Sequence, residues 1–283
     1  MVENQKQFNP LVAYFRQPKI YITLPSQGNF YPDGALDVSV NGEYPVYAMT
    51  AKDELIFKTP DALLNGQATV ELIKSCVPAV KDPWKVPSID LDALLIAIRI
   101  ATYGDTMDFS SDCPDCKEEN TYQMNMVNYL EQVSNFEYQP TVDLGELIVT
   151  IRPYNYQEVS KQSIKAIEQQ KIFNIVNDDS MEDDEKVEKF GQSFVKLTEM
   201  TVDVIAGCIA AIKTPTADVT DQAMIKEFIN NAPKDVFNKI SDHISEMKKK
   251  VDFEVQTVKC GSCSHDYKIT LNMDQSNFFG VRS

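Results

Sequence analysis

Cys113-Pro114-Asp115-Cys116 and Cys260-Gly261-Ser262-Cys263 are two C-x-x-C knuckles, and Cys116 precedes Cys260 by 144 positions. One knuckle places two sulfurs on one edge of a metal, and two knuckles complete a tetrahedral sphere. Thiolates suit zinc, whose structural sites are closed and four-coordinate. The pattern predicts Cys113, Cys116, Cys260 and Cys263 as the four ligands of one structural zinc. Such a site clips the end of the chain to its middle. The block between the knuckles is then an insertion between two halves of one small zinc-bound β element. The alternatives are two unrelated thiol pairs, an iron-sulfur cluster, a redox pair, and His265 replacing one cysteine ligand. A redox C-x-x-C sits at a helix N-terminus after a strand, whereas each knuckle here precedes a strand-like segment. Cys76 and Cys208 stand among apolar neighbours in predicted helices and read as small buried hydrophobes.

After the first knuckle, Tyr122, Met124 and Met126 alternate with Gln123 and Asn125; after the second, Tyr267, Ile269 and Leu271 alternate in the same way. That is the period of a half-buried strand. The order knuckle, turn, Tyr-led strand therefore occurs twice, a weak internal repeat of two arms meeting at a metal. Further strands are expected at Leu147, Val149 and Ile151, and at Phe253 and Val255.

The N-terminal fifty residues read as a turn-rich β unit. Ile20 and Ile22 alternate with polar neighbours, Val38 and Val40 form a short strand, and Asn41-Gly42 makes a hairpin turn into Val46 and Ala48. Thr50 with Asp53 caps a short helix, Thr59-Pro60 starts a second, and Gln67 to Cys76 makes a third that ends before Pro78. Asp90 opens the next helix, which is apolar on nearly every face and so is buried on most sides, with Gly104 as its stop. Asn155 and Glu158 form a capping box. Val187, Phe190, Phe194, Leu197, Thr201, Val204, Cys208 and Ile212 fall at three- and four-residue spacing, predicting one long helix. Two shorter helices follow, the last with Val236, Ile240, His243 and Met247 on one face; His243 reads as a packed, hydrogen-bonded histidine.

The expected class is α+β, predominantly helical, with small β elements clipped by the four-cysteine site. Four regions are expected. Residues 1–50 form the β and turn-rich segment. Residues 51–154 hold the helical core, the first knuckle and its strands. Residues 155–250 form a helical block, and residues 251–283 the C-terminal strands and second knuckle, packed against the 105–154 region.

The chain has 283 residues, a hydrophobic content of 43% and a formal net charge of −15. That supports a substantial core and, with no basic stripe, excludes phosphate-tracking nucleic-acid binding. The short run Lys248-Lys249-Lys250 ends a helix, where positive charge suits the dipole. No signal segment is visible at the start. The longest apolar stretch, Leu91 to Tyr103, contains Asp92 and Arg99 and is too short for membrane insertion.

A metal held by four thiolates has no open position for water or substrate. No zinc-protease, phosphate-loop or serine-elbow pattern appears. Ser264-His265-Asp266 lie consecutively on a strand and so point to opposite faces. A non-enzymatic protein is expected. The acidic run from Asp178 to Glu188 reads as a solvated loop or a docking surface for a basic partner. Trp84 and the Phe278-Phe279 pair read either as core or as anchors in a neighbour, with a neighbour favoured for the pair.

Three further segments carry a resemblance: Thr50-Ala51-Lys52-Asp53-Glu54, Thr59-Pro60-Asp61-Ala62-Leu63-Leu64-Asn65-Gly66 and Ile98-Arg99-Ile100-Ala101-Thr102-Tyr103-Gly104. With the first knuckle at its distance beyond them, the second knuckle, and the Asn277-Phe278-Phe279-Gly280 ending, the chain resembles the baseplate hub or hub-assembly proteins of T-even-type contractile-tailed bacteriophages. The resemblance spans most of the chain and is strongest from Tyr44 to Cys116. It implies a structural or assembly component of the tail baseplate, built in the host cytoplasm and located in the virion. Its implied partners are other baseplate or hub proteins, with self-association possible. It brings no catalytic residues. A transient hub-assembly chaperone absent from the mature particle, or a generic zinc-stabilised binding module, are the alternatives.

Overall fold

The computed structural model describes residues 10–57, 66–134, 138–161, 163, 195–196, 198–251, 256–269 and 278–279. Pro18–Thr23 (β1) pairs antiparallel with Glu43–Tyr47 (β2), with Ile22 opposite Tyr44. Tyr44 and Val46 turn into the core. The strand expected at Val38 and Val40 does not form. Both side chains are in solvent, and β2 takes β1 as its partner instead. The intervening excursion is tied down by Ser26, whose role emerges below. Asn41-Gly42 does make the turn into β2, with Gly42 at φ 76°.

Ala51–Phe57 (α1) opens with a reciprocal cap. The Asp53 N–H donates to Thr50 Oγ1 at 3.3 Å, and the Thr50 N–H donates to Asp53 Oδ2 at 2.7 Å. Gln67–Cys76 (α2) stops one residue before the Val77-Pro78 pair, where proline removes the next N–H. The expected start at Thr59-Pro60 and the break at Asn65 lie outside the described residues. Arg16 stitches this corner. It donates to the carbonyls of Ala48 and Ser75 and pairs with Asp53 at 3.6 Å.

Ser88–Tyr103 (α3) is the centre of the first half. Ala93, Leu94, Leu95, Ile96, Ala97 and Ile98 are all buried on successive faces of the helix. It starts two residues earlier than its sequence signals indicate, because Asp90 is not a cap. Asp90 is fully buried and accepts the Ser26 N–H at 2.7 Å, the Ser26 hydroxyl at 2.5 Å and the Tyr31 hydroxyl at 2.9 Å. Burial pushes its carboxyl up to about 6 against the pull of those donors, and pushes the Tyr31 phenol far up. Gly104, at φ 90°, ends the helix.

Thr106–Asp112 (β3) and Glu119–Asn125 (β4) form a hairpin with the first knuckle at its tip, and Met126–Ser134 (α4) packs back on α3. Thr141–Asp143 (β5), Ile148–Ile151 (β6), Ile209–Lys213 (β7) and Asp218–Val219 (β8) make an antiparallel sheet in that order. The long helix expected to reach Ile212 ends at residue 207. Ile209–Lys213 is instead an interior strand of this sheet. Ile151 pairs with Ile209 but Thr150 with Ala211, so Ala210 is an extra, bulged residue. The bulge shifts the strand's phase and buries Ile209 and Ile212, three apart, which mimics helical spacing.

Asn155 and Glu158 cap the helical stretch that follows β6, each backbone N–H bonded to the other's side chain at 2.9 and 3.0 Å. Gln222–Asn231 (α5) is capped by Asp221, and Lys234–Val251 (α6) lays Ile240 and Met247 inward. His243 on α6 bonds the Gln139 carbonyl at 2.9 Å, as a packed histidine should. Gln256–Lys259 (β9) and Asp266–Ile269 (β10) close the second knuckle hairpin.

Among the described residues there are three apolar clusters. The first surrounds α3 and includes Phe278 and Phe279; the second lies between the β5–β8 sheet and α5 and α6; the third joins the two knuckle hairpins. The chain is thus α+β. The terminal phenylalanines are core residues rather than anchors in a neighbour. Arg99 donates to the Phe278 carbonyl at 2.9 Å, and the ring of Phe279 meets Phe57 at 5.0 Å. Trp84 stacks on Tyr156 of the same chain at 5.6 Å. The acidic run from Asp178 to Glu188 lies outside the described residues.

Candidate metal centre

β3–β4 and β9–β10 repeat each other residue by residue. Adding 147 to a number in the first hairpin gives its counterpart in the second. Cys113 and Cys116 become Cys260 and Cys263, and the tip pair Asp112–Glu119 becomes Lys259–Asp266. Lys117 and Ser264 correspond and share a left-handed backbone, φ 63° and 61°. Two backbone bonds also correspond. The Cys113 N–H donates to the Glu118 carbonyl and the Cys260 N–H to the His265 carbonyl, each at 2.9 Å. Lys117 N–H to Cys113 and Ser264 N–H to Cys260 are each 3.0 Å. Each C-x-x-C therefore folds into the same tight loop with both sulfurs turned to one side. The Tyr-led pattern read from the sequence is out of step with this frame by two residues: the counterpart of Tyr267 is Asn120, not Tyr122.

The two tips face each other. Sulfur atoms of Cys113 and Cys263 stand 3.6 Å apart, as do those of Cys116 and Cys260, and all four lie within 4.8 Å of one another. Four sulfurs bound to zinc at about 2.3 Å sit about 3.8 Å apart along a tetrahedral edge. The group is compatible with such an ion without rearrangement of the backbone. Among the described residues it consists of these four cysteines and no histidine; the His265 side chain is exposed.

The surroundings favour thiolate at one sulfur, that of Cys260. Backbone N–H groups of Cys263 and Ser262, with the Asn120 side chain, draw the Cys260 thiol down to about 6 despite its burial. The His265 N–H acts the same way on Cys263. There burial and the neighbouring thiols win, leaving it up at about 12. Cys116 is also raised, its Glu118 N–H bond outweighed by burial and by Cys260 and Cys113. Four thiols this close cannot all ionise by themselves, and a cation bound among them would favour the thiolate forms. The two remaining cysteines are of another kind. Burial pushes Cys76 up to about 12 and Cys208 up to about 11, which leaves both as inert core thiols.

Tyr122 and Tyr267 seal the hairpins together below the tips. Their hydroxyls are 3.1 Å apart; Tyr122 donates to the Lys259 carbonyl and Tyr267 to the Ser111 carbonyl. Asn120 bridges from β4 to the opposite knuckle, with Oδ1 accepting the Gly261 N–H at 2.9 Å. Nothing in the local sequence marks Asn120, whose partners Cys260 and Gly261 lie 140 and 141 positions away. A separate cavity of about 410 Å³ lies between the start of α3, the end of β6 and α6, lined by Asp92, Tyr138, Arg152, Tyr154 and Ile244 among others. Its arginine is already held by both oxygens of Glu158, at 2.9 and 2.7 Å.

Fold and site together define an α+β protein whose distant cysteines converge on a closed, metal-compatible cluster. A family model described as T4 bacteriophage base plate protein matches residues 17–280, and the chain belongs to that family. No curated protein matches it, and no solved structure does. It is therefore a phage baseplate protein. Among the described residues no helix is long and apolar enough to cross a membrane.

Proposed function

We propose that this chain is a structural or assembly component of the baseplate hub, acting through protein–protein contacts, and that Cys113, Cys116, Cys260 and Cys263 hold one structural zinc. The reading is of a mostly helical α+β subunit without catalytic activity, assembled in the host cytoplasm. Its proposed regions are 1–50, 51–154, 155–250 and 251–283, with the last packed on 105–154 through the zinc. The observation that carries it is the closed four-sulfur cluster, which joins two hairpins and leaves no ligand position for a substrate. Zinc there would fix the C-terminal hairpin beside the middle of the chain.

Exposed apolar surface supports the protein contacts. Among the described residues, eight of the eleven large apolar side chains in solvent fall between Leu11 and Leu55, among them Tyr14, Phe15, Tyr21 and Val40. Concentration of this kind marks interaction surfaces. The partners are other baseplate or hub proteins, with self-association a further option.

Elemental analysis of the purified chain tests the metal: about one zinc per chain is expected, and metal-free, fully folded protein would contradict it. Mass spectrometry of purified particles tests the hub role. The chain should be present in mature particles. Its absence would replace the subunit reading with that of a transient assembly chaperone.

A further inference from the structure

The two hairpins share one backbone but not one set of supports, and the difference falls on a single side chain. The Asn120 carboxamide is fully engaged. Its Oδ1 accepts the Gly261 N–H at 2.9 Å, and its Nδ2 donates to the Glu118 carbonyl at 2.9 Å and points at the Cys260 sulfur at 3.4 Å. The first two bonds fix which way the amide faces; Oδ1 also lies 3.6 Å from the sulfur, but a thiolate has no proton to give it and can bond only the N–H. The arrangement cannot recur on the other knuckle. Tyr267, the counterpart of Asn120, bonds the Ser111 carbonyl and Tyr122 instead. Pro114, the counterpart of Gly261, has no N–H to offer.

We propose that Asn120 is a positioning residue for the metal centre, donating an N–H···S bond to the Cys260 thiolate and holding the second knuckle against the first hairpin. This rests on the zinc reading above. Groups that hydrogen-bond metal ligands orient them and govern how tightly the ion is kept, with losses of about 10- to 100-fold on removal. Asn120 acts across the junction, because it comes from β4 while the sulfur it supports belongs to the C-terminal knuckle. It thereby couples metal retention to the docking of the two hairpins.

The test is zinc release from the full-length, zinc-loaded chain to a colorimetric chelator, for wild type, Asn120→Ala, Asn120→Asp and Gly261→Pro. Asn120→Ala should release zinc about 10-fold faster or more. Asn120→Asp keeps an acceptor for Gly261 but offers the thiolate a negative charge and no donor, so it should be at least as fast as Asn120→Ala. Gly261→Pro, which gives the second knuckle the residue its counterpart carries, should also accelerate release. Cobalt-substituted protein should keep its thiolate-to-metal absorption in all four, showing that the ligand set is intact. Equal release from wild type and Asn120→Ala would overturn the proposal. So would wild-type behaviour of Asn120→Asp, since a merely structural tie to Gly261 survives that change. A wild-type chain that takes up no zinc would instead overturn the metal reading, and this proposal with it.

Discussion

α3 and the pair of knuckle hairpins are held by different physics. Around α3, burial is continuous: Leu94, Ile96, Ala97 and Ile98 are essentially inaccessible, and the cluster draws in β1, β2, α1, α2, α4 and the terminal phenylalanines. Among the described residues the hairpin cluster has four buried members, Cys113, Cys260, Tyr267 and Ile269, two of them thiols, with Phe109, Tyr122 and Val258 partly buried against it. A two-stranded hairpin is marginal by itself in water, and two facing hairpins with so little apolar area gain little more. Where hydrophobic area is ample the fold needs no ion; where it is scarce, the sulfur cluster occupies the place a core would take. Metal removal should therefore loosen the hairpins and leave α3 in place.

The largest effect should come from breaking the α3 side. Leu94→Ala should cost about 2–5 kcal/mol in denaturant unfolding. A cost near zero would show that this core is not what carries the first half.

Next is Asp90. Its carboxyl is raised by burial to about 6 from 3.8, so the folded chain holds a proton that the unfolded chain has lost between those values. Ionisation on raising the pH through about 4 to 6 then costs stability, about 3 kcal/mol in full, with no further change from this group above that window. The stability of wild type relative to Asp90→Asn should thus rise as pH falls from about 7 to about 4. A constant difference would mean that Asp90 titrates normally despite its burial. Acid would also protonate thiolates and expel a bound metal, so Asp90 and a metal act on stability in opposite directions as the pH falls.

The smallest effect is local. Thr50→Ala removes the hydroxyl that caps α1 and should cost about 1 kcal/mol without changing zinc content. A loss of zinc in that variant would mean that the two regions are not separable.

How far the sequence discloses this arrangement follows the same division. The knuckles were legible because chemistry fixes both residue type and spacing. α3 was legible because its run of apolar residues admits few other structures, and the Thr50–Asp53 and Asn155–Glu158 caps because each is a local bond between near neighbours. The failures are all non-local. β3 went unread between Gly104 and Cys113 since its outer face is polar and its partner is set by the hairpin register. β7 reads as helix in the sequence because the bulge at Ala210 puts Ile209 and Ile212 on one face. Val38 and Val40 have strand-like residues but no partner, β1 having taken β2. Asn120 was invisible because its partners, Cys260 and Gly261, are about 140 positions away.

Hydrogen exchange on the full-length chain, zinc-loaded and after chelation, is the most direct test of the clip. Amides of residues 106–125 and 256–269 should lose protection when zinc is removed, while those of residues 88–103 keep theirs, and Cys116→Ser should reproduce the chelated pattern without chelator. Unchanged protection in both hairpins, or loss spread equally over α3, would contradict a metal that joins two hairpins onto a core able to stand without it.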